Sequence, residues 1–164
     1  MHMQRLQQHE DVGFLIAAAR RRIKQAVGEL VRPFRLSPQR FWLLLGIYER
    51  KGLSLNELAE RLRVDEPTAS RVVTALARLG LVHAAADPGD RRRARLLLTK
   101  NGRDLAERLR PLAGEVRAAA LEGFSPAERR LLAASLQRVV DNLERFACRS
   151  RDGVAPTARG ARAS

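Results

Sequence analysis

SLNELAERLRVDEPTASRVVTALARLGLVHAAADPGDRRRARLLLT, residues 54–99, carries in one run the local signals that decide the fold. Ser54 and Glu57 have the spacing of a capping box, in which hydroxyl and carboxylate each satisfy an orphan amide at a helix start. They open a short helix whose apolar positions are Leu55, Leu58, Ala59 and Leu62. Arg63-Val64-Asp65 makes a turn, and a further helix runs from about Glu66 to Leu79, where Gly80 supplies the stop. Leu81–Ala86 and Ala94–Leu98 then read as two short strands around Asp87-Pro88-Gly89-Asp90, with Arg91-Arg92-Arg93 beside the tip. Short helix, tight turn, second helix and hairpin is the layout of a winged helix-turn-helix.

Outward from this stretch, the pattern is helical on both sides. Ser37-Pro38, a hydroxyl cap followed by a first-turn proline, starts a helix carrying Phe41, Trp42, Leu43, Leu44, Leu45, Ile47 and Tyr48. These surround the whole helix, so it is expected to be central and buried on more than one side. Before it, a helix from about Asp11 to just short of Pro33 carries the stripe Val12, Leu15, Ile16, Ala19, Ile23, Val27 and Leu30; residues 1–10 are polar and expected to fray. After Thr99 the helical period returns through Leu105, Leu109, Leu112, Val116 and Ala119, with Pro111 expected to kink or locally break the run. Ser125-Pro126-Ala127-Glu128 opens the last helix, striped by Leu132, Leu136, Val139, Leu143 and Phe146.

The expected fold class is therefore mainly α with a small β wing: a winged helix-turn-helix lobe over about 37–99, plus a helical dimerisation body from both termini, about 11–32 and 100–147. The expected organisation is a single domain over residues 1–147, followed by a disordered basic tail over 148–164. Three striped helices exceed what a compact winged lobe needs, which favours a homodimer over a monomer with an intramolecular bundle.

A helix that enters a major groove about 12 Å wide must be apolar on its inner side and short, polar or basic on the other. Ala69, Val72, Val73, Leu76 and Leu79 fit the inner side; Thr68, Arg71, Thr74 and Arg78 form the opposite stripe, with Ser70 at its margin. Arg71 has the reach to meet a guanine edge bidentately, or a phosphate. An ordinary solvated helix face has the same pattern, and the hairpin weighs against it. Three consecutive arginines repel one another in a free loop, whereas over DNA one enters the minor groove while its neighbours meet phosphates. Asp90 is spaced to orient Arg92 through a charge-assisted bond. The candidate DNA-binding residues are thus Thr68, Ser70, Arg71, Thr74, Arg78, Asp90, Arg91, Arg92 and Arg93.

The formal net charge of +13 agrees, since a field of that sign attracts polyanions such as nucleic acid or an acidic membrane surface. Lysine occurs only at Lys24, Lys51 and Lys100, so the excess is arginine. Codon bias accounts for Arg replacing Lys but not for Arg outnumbering the acids. Charge alone does not separate a sequence-specific regulator from a non-specific architectural protein that coats nucleic acid, and a winged lobe used as a protein-interaction module is a third reading.

Other classes find no support. There is no Gly-rich phosphate loop, His-Glu-x-x-His pattern or Cys-x-x-Cys pair, and His2, His9 and His83 are scattered. No enzyme, cofactor or metal site is expected. No apolar run approaches the roughly 18 residues of a membrane span, no secretory pattern opens the chain, and Cys148 is the lone cysteine, so a cytoplasmic protein is expected.

Leu58-Ala59, Thr68-Ala69-Ser70-Arg71, Leu79-Gly80-Leu81-Val82, Asp87-Pro88-Gly89-Asp90-Arg91-Arg92 and Leu98-Thr99-Lys100-Asn101-Gly102, in that order and spacing, resemble the MarR family of bacterial regulators. The resemblance spans roughly residues 11–147. It implies a homodimer with the terminal helices as the dimer body, two winged lobes reading a palindrome in double-stranded DNA, and an Asp90–Arg92 pair in the wing motif that reaches the minor groove. It also implies control by small molecules, often aromatic acids, bound between dimer body and DNA-reading lobe. Candidate ligand contacts are Arg20, which falls within the stripe of the first helix between Ile16 and Ile23, with Phe34, Trp42 and Tyr48 as aromatic walls and His83 at the start of the wing. Core packing, a strand position and a snorkelling arginine are the ordinary roles of these residues. Peroxide sensors of the family place their cysteine in the first helix; Cys148 departs from that pattern.

Overall fold

The helix Pro38–Glu49 (α2) is the hub of the lobe in the computed structural model, which describes residues 2–90 and 93–151, with side chains for 12–90 and 93–149. It touches α1 (His2–Val31), α3 (Leu55–Leu62), α4 (Glu66–Arg78), α5 (Lys100–Ala120) and the strand β2 (Ala94–Leu98). Ser37 caps it, its Oγ accepting from the Arg40 amide at 3.3 Å, and Phe41, Leu43, Leu44, Leu45 and Ile47 are all buried. Gly46 sits where α3 presses closest: a Cβ there would lie 3.0 Å from Leu58 Cδ1 and 3.2 Å from Leu62 Cδ1. The fully buried set, Val27, Val31, Phe41, Leu44, Ile47, Leu58, Leu76 and Leu109, draws on α1 through α5, each large side chain worth about 1.5–3 kcal/mol of burial.

The strand β1 (Val82–Ala86) pairs antiparallel with β2, Val82 opposite Leu98 and Ala86 opposite Ala94. The Leu96 amide donates to the Leu53 carbonyl at 2.8 Å, which ties β2 to the residue just before the α3 cap. Thr99 joins three elements: its amide donates to the Leu81 carbonyl at 3.1 Å, its hydroxyl donates to the Gly80 carbonyl at 2.7 Å, and the same oxygen accepts from the Gly102 amide at 3.0 Å.

Residues 1–120 and 121–164 form two compact units. In the second, Ser125 and Glu128 cap α6 (Pro126–Arg151) reciprocally, at 2.8 and 3.3 Å. The Arg129 guanidinium donates to the Leu121 and Phe124 carbonyls, fixing the turn before the helix.

Three boundaries differ from the sequence reading. Helix α1 starts at His2 rather than near Asp11; residues 2–10 hold no Gly or Pro and are mostly strong helix formers, so no cap is needed there. Helix α5 runs through Pro111 without a break, because Pro111 and Glu107 are exposed, where the carbonyl that a proline leaves unpaired is open to solvent. Helix α6 reaches Arg151, so residues 148–151, read as tail, are helical; the rest of that tail, 152–164, lies outside the described residues.

The stripe of α1 is buried only at its C-terminal end. Val27 and Val31 join the core, whereas Val12, Phe14, Leu15, Ile16 and Ile23 are exposed, Phe14 by 71%. Leu131, Leu132, Leu136, Leu143 and Phe146 of α6 are exposed as well. Each unit thus presents exposed apolar residues of the kind found at interaction surfaces.

Candidate nucleic-acid interface

Helix α4 starts on Asp65, whose Oδ1 accepts from the Thr68 amide at 2.8 Å, with proline in the first turn. Ala69, Val72 and Leu76 are buried against the lobe, with Val73 half-buried beside them. Ser70, Arg71, Thr74 and Arg78 are exposed. Thr68 is half-buried at the edge of this row, and its Oγ1 accepts from Arg71 Nη2 at 3.1 Å, so the hydroxyl steadies the guanidinium. Leu79, assigned to the inner side by helical phase, is instead 51% exposed. It lies one residue past the helix, at the cap before Gly80 (φ 67°), where the helical phase no longer applies.

The base of the wing is seated in the core by Val82 and Leu96, whereas its upper part is held by ion pairs. Ala84, Ala86 and Ala94 are exposed and small. Asp87 organises the tip: Oδ1 accepts from the Gly89 amide at 2.7 Å and the Asp90 amide at 3.3 Å, while Oδ2 accepts from Arg95 Nε at 2.5 Å. Arg93 closes the hairpin, its amide donating to the Asp90 carbonyl and its carbonyl accepting from the Asp87 amide, both at 2.9 Å. Its guanidinium crosses to α3 and meets Glu57 Oε1 at 2.9 Å. Asp90 is exposed at the tip; Arg91 and Arg92 lie outside the described residues.

Thus Ser70, Arg71, Thr74 and Arg78 share the exposed side of α4, while Arg93, grouped with them by sequence, braces the wing through Glu57. Sequence reasoning gave Glu57 only its capping role and Asp87 and Arg95 none. Glu57 and Arg93 are 36 positions apart, beyond any local pattern. For Asp87 and Arg95, antiparallel pairing near the tip was a usable signal.

Four carboxyls are held below their ordinary range. Asp65 is lowered by Thr68, first through its side chain and then its amide; Glu57 by the Ser54 amide, then the Ser54 hydroxyl and Arg93. Asp87 is lowered first by the Arg95 guanidinium, and Glu128 by the Ser125 hydroxyl and amide. A carboxyl whose folded pKa is depressed stabilises the fold above its ordinary pKa and loses that contribution as pH falls through the folded value. Thermal stability is therefore expected to hold above about pH 5 and to fall as pH drops below about 4. In melting curves recorded against pH, Asp87→Asn should show a shallower acid limb than the parent.

Of the five candidate ligand contacts, two come together. Tyr48 and His83 line an open groove of about 680 Å3 between the end of α2, the wing strands and α5, together with Arg103, Arg110 and the apolar Leu97. The other three lie elsewhere. Arg20 is exposed on α1, Phe34 lies 5.1 Å beneath the Arg108 guanidinium, and Trp42 packs edge-on to Phe41 at 4.8 Å. Cys148 is exposed on α6. Among the described residues no cluster of potential metal ligands occurs, and no helix is long and apolar enough to cross a membrane.

Comparison with known proteins places this geometry. A family model described as the MarR family matches residues 36–93. The uncharacterised HTH-type transcriptional regulator YybA of Bacillus subtilis is 31% identical over 110 residues, which cover 67% of this chain and 73% of YybA. The HTH-type transcriptional repressor NicR of Pseudomonas putida is 27% identical over 135 residues, covering 82% of this chain and 85% of NicR. Among solved structures, Bordetella bronchiseptica BpsR, whose DNA binding is regulated by 6-hydroxynicotinic acid, superposes with a TM-score of 0.70 at 27% identity, covering 79% of this chain and 93% of BpsR.

Proposed function

The chain belongs to the MarR family of transcriptional regulators, and we propose that it works as a homodimer reading a near-palindromic operator, α4 in the major groove and the wing over the minor groove. It is a sequence-specific DNA-binding regulator of transcription and not an enzyme, and the alternative of a non-specific coating protein falls away. The observation that carries the finer reading is the division of α4. Ala69, Val72 and Leu76 anchor one side in the core, and Ser70, Arg71, Thr74 and Arg78 are exposed to a partner. Thr68, Asp90, Arg91 and Arg92 complete the proposed DNA-reading set, and Arg93 supports it by bracing the wing through Glu57.

The exposed apolar residues of α1 and α6 support a dimer body built from residues 11–32 and 100–147. With two lobes, half-sites one helical turn apart bind cooperatively through effective concentration. The action is repression, in the cytoplasm. The effector is a small aromatic acid, and the groove beside Tyr48 and His83 is its site: Arg103 and Arg110 supply cations for a carboxylate, and Leu97 supplies apolar contact. BpsR and NicR support this reading by likeness. Arg20, Phe34 and Trp42 are not carried into it.

The test is to capture genomic DNA fragments on the protein and compete them with random duplex at physiological salt. Retained fragments are expected to converge on a near-palindrome with half-sites about 10 base pairs apart. The protein should sediment at twice its 18.3 kDa chain mass, and small aromatic acids should release the retained DNA. Equal competition by random duplex, or a monomeric mass, overturns the proposal.

A further inference from the structure

Glu57 uses its two carboxylate oxygens on two different jobs. Oε2 accepts from the Ser54 amide at 2.8 Å and completes the α3 cap, while Oε1 takes the Arg93 guanidinium at 2.9 Å. Arg93 is also the residue whose backbone closes the hairpin onto Asp87 and Asp90. The base of the wing is fixed separately, by the backbone bond from Leu96 to Leu53 and by burial of Val82 and Leu96 in the core. Above that bond, Ala86 and Ala94 are small and exposed, and the stem of Arg95 runs beside Gly52. The Glu57–Arg93 bridge joins the upper wing to the helix-turn-helix.

We infer that Glu57 is a positioning residue for operator recognition: through Arg93 it sets the angle between the wing and the helix-turn-helix, so that both meet their grooves in register. This rests on the reading of α4 and the wing as the DNA-reading elements. The inference runs against simple electrostatics. Glu57 is an acid beside a surface meant for a polyanion, and removing its charge should by itself tighten binding to any DNA. A positioning role reverses the sign for the operator alone. The bridge is half-exposed, so its loss should cost little folding stability.

The experiment measures operator and random-duplex affinities for Glu57→Gln, Arg93→Gln and the double variant in the full-length protein. Gln still caps at this helix position, so α3 keeps its start and the melting temperature should stay close to the parent's. The ratio of operator to random affinity is expected to fall about 5- to 10-fold in Glu57→Gln, with random-duplex binding equal or tighter. Because both variants cut the same bridge, the double variant should lose no more of that ratio than Arg93→Gln alone. An unchanged ratio in Glu57→Gln, or losses that simply multiply in the double variant, overturns the inference. Arg92→Ala serves as the control: if it loses operator binding while Glu57→Gln does not, the reading elements stand and the positioning role fails; if neither loses binding, the assignment of the wing fails.

Discussion

Replacing Gly102 with alanine is expected to destabilise the protein by about 3 kcal/mol or more, beyond the usual range for an overpacked site. A Cβ built on Gly102 would lie 1.9 Å from the Leu81 carbonyl oxygen, closer than any real contact, and 2.9 Å from its carbon. The obstacle is backbone, so no rotamer change relieves it. That oxygen also accepts the Thr99 amide, so moving it breaks the junction of α4, β1 and α5. For a chain of this size the loss corresponds to roughly 10 °C in melting temperature. Circular dichroism melting checks it, and a variant that melts with the parent would show that α5 packs less closely on Leu81 than described. Gly114, where an added Cβ meets nothing within 4 Å, supplies the contrasting substitution.

Arg71→Ala should lower affinity by about 10- to 100-fold for each half-site, corresponding to the roughly 1–3 kcal/mol of discrimination carried by one bidentate base contact. The decisive readout is the pattern of loss. If Arg71 meets a base edge, preference at one position of each half-site relaxes; if it meets a phosphate, affinity falls evenly across sequences and the salt slope drops by about two units, one for each protomer. The hydrogen bond from Arg71 to Thr68 makes the base contact the expected outcome, because it restricts the guanidinium before DNA arrives. Binding titrations against single-base operator variants separate the two cases. Arg71→Ala should leave melting unchanged, since the side chain is exposed.

The helix-turn-helix was legible because its signals are local. Ser54 with Glu57, the Arg63-Val64-Asp65 turn, and Gly80 each specify a helix end within four residues, and the structure has each end there. The outer row of α4 was legible from its period through Arg78, but Leu79 was misread because the period stops where the helix does. The bridge from Glu57 to Arg93 was not legible, since the two meet only after α3, α4 and both strands are in place. Pro111 misled for another reason: a proline costs a helix most where its lost bond is buried, and exposure cannot be read from the residue itself. For α1 the stripe was visible in full, but which part of it the lobe covers was not.

A hairpin whose base is buried but whose upper half carries alanines and ionic braces behaves unlike one that is apolar to its tip. Dissolved salt acts on it twice, loosening its grip on a polyanion and also slackening the struts that keep it upright. A plot of binding strength against ionic strength will therefore be steeper for this protein than its tally of neutralised phosphates, and the surplus slope measures how much of the wing's posture is electrostatic.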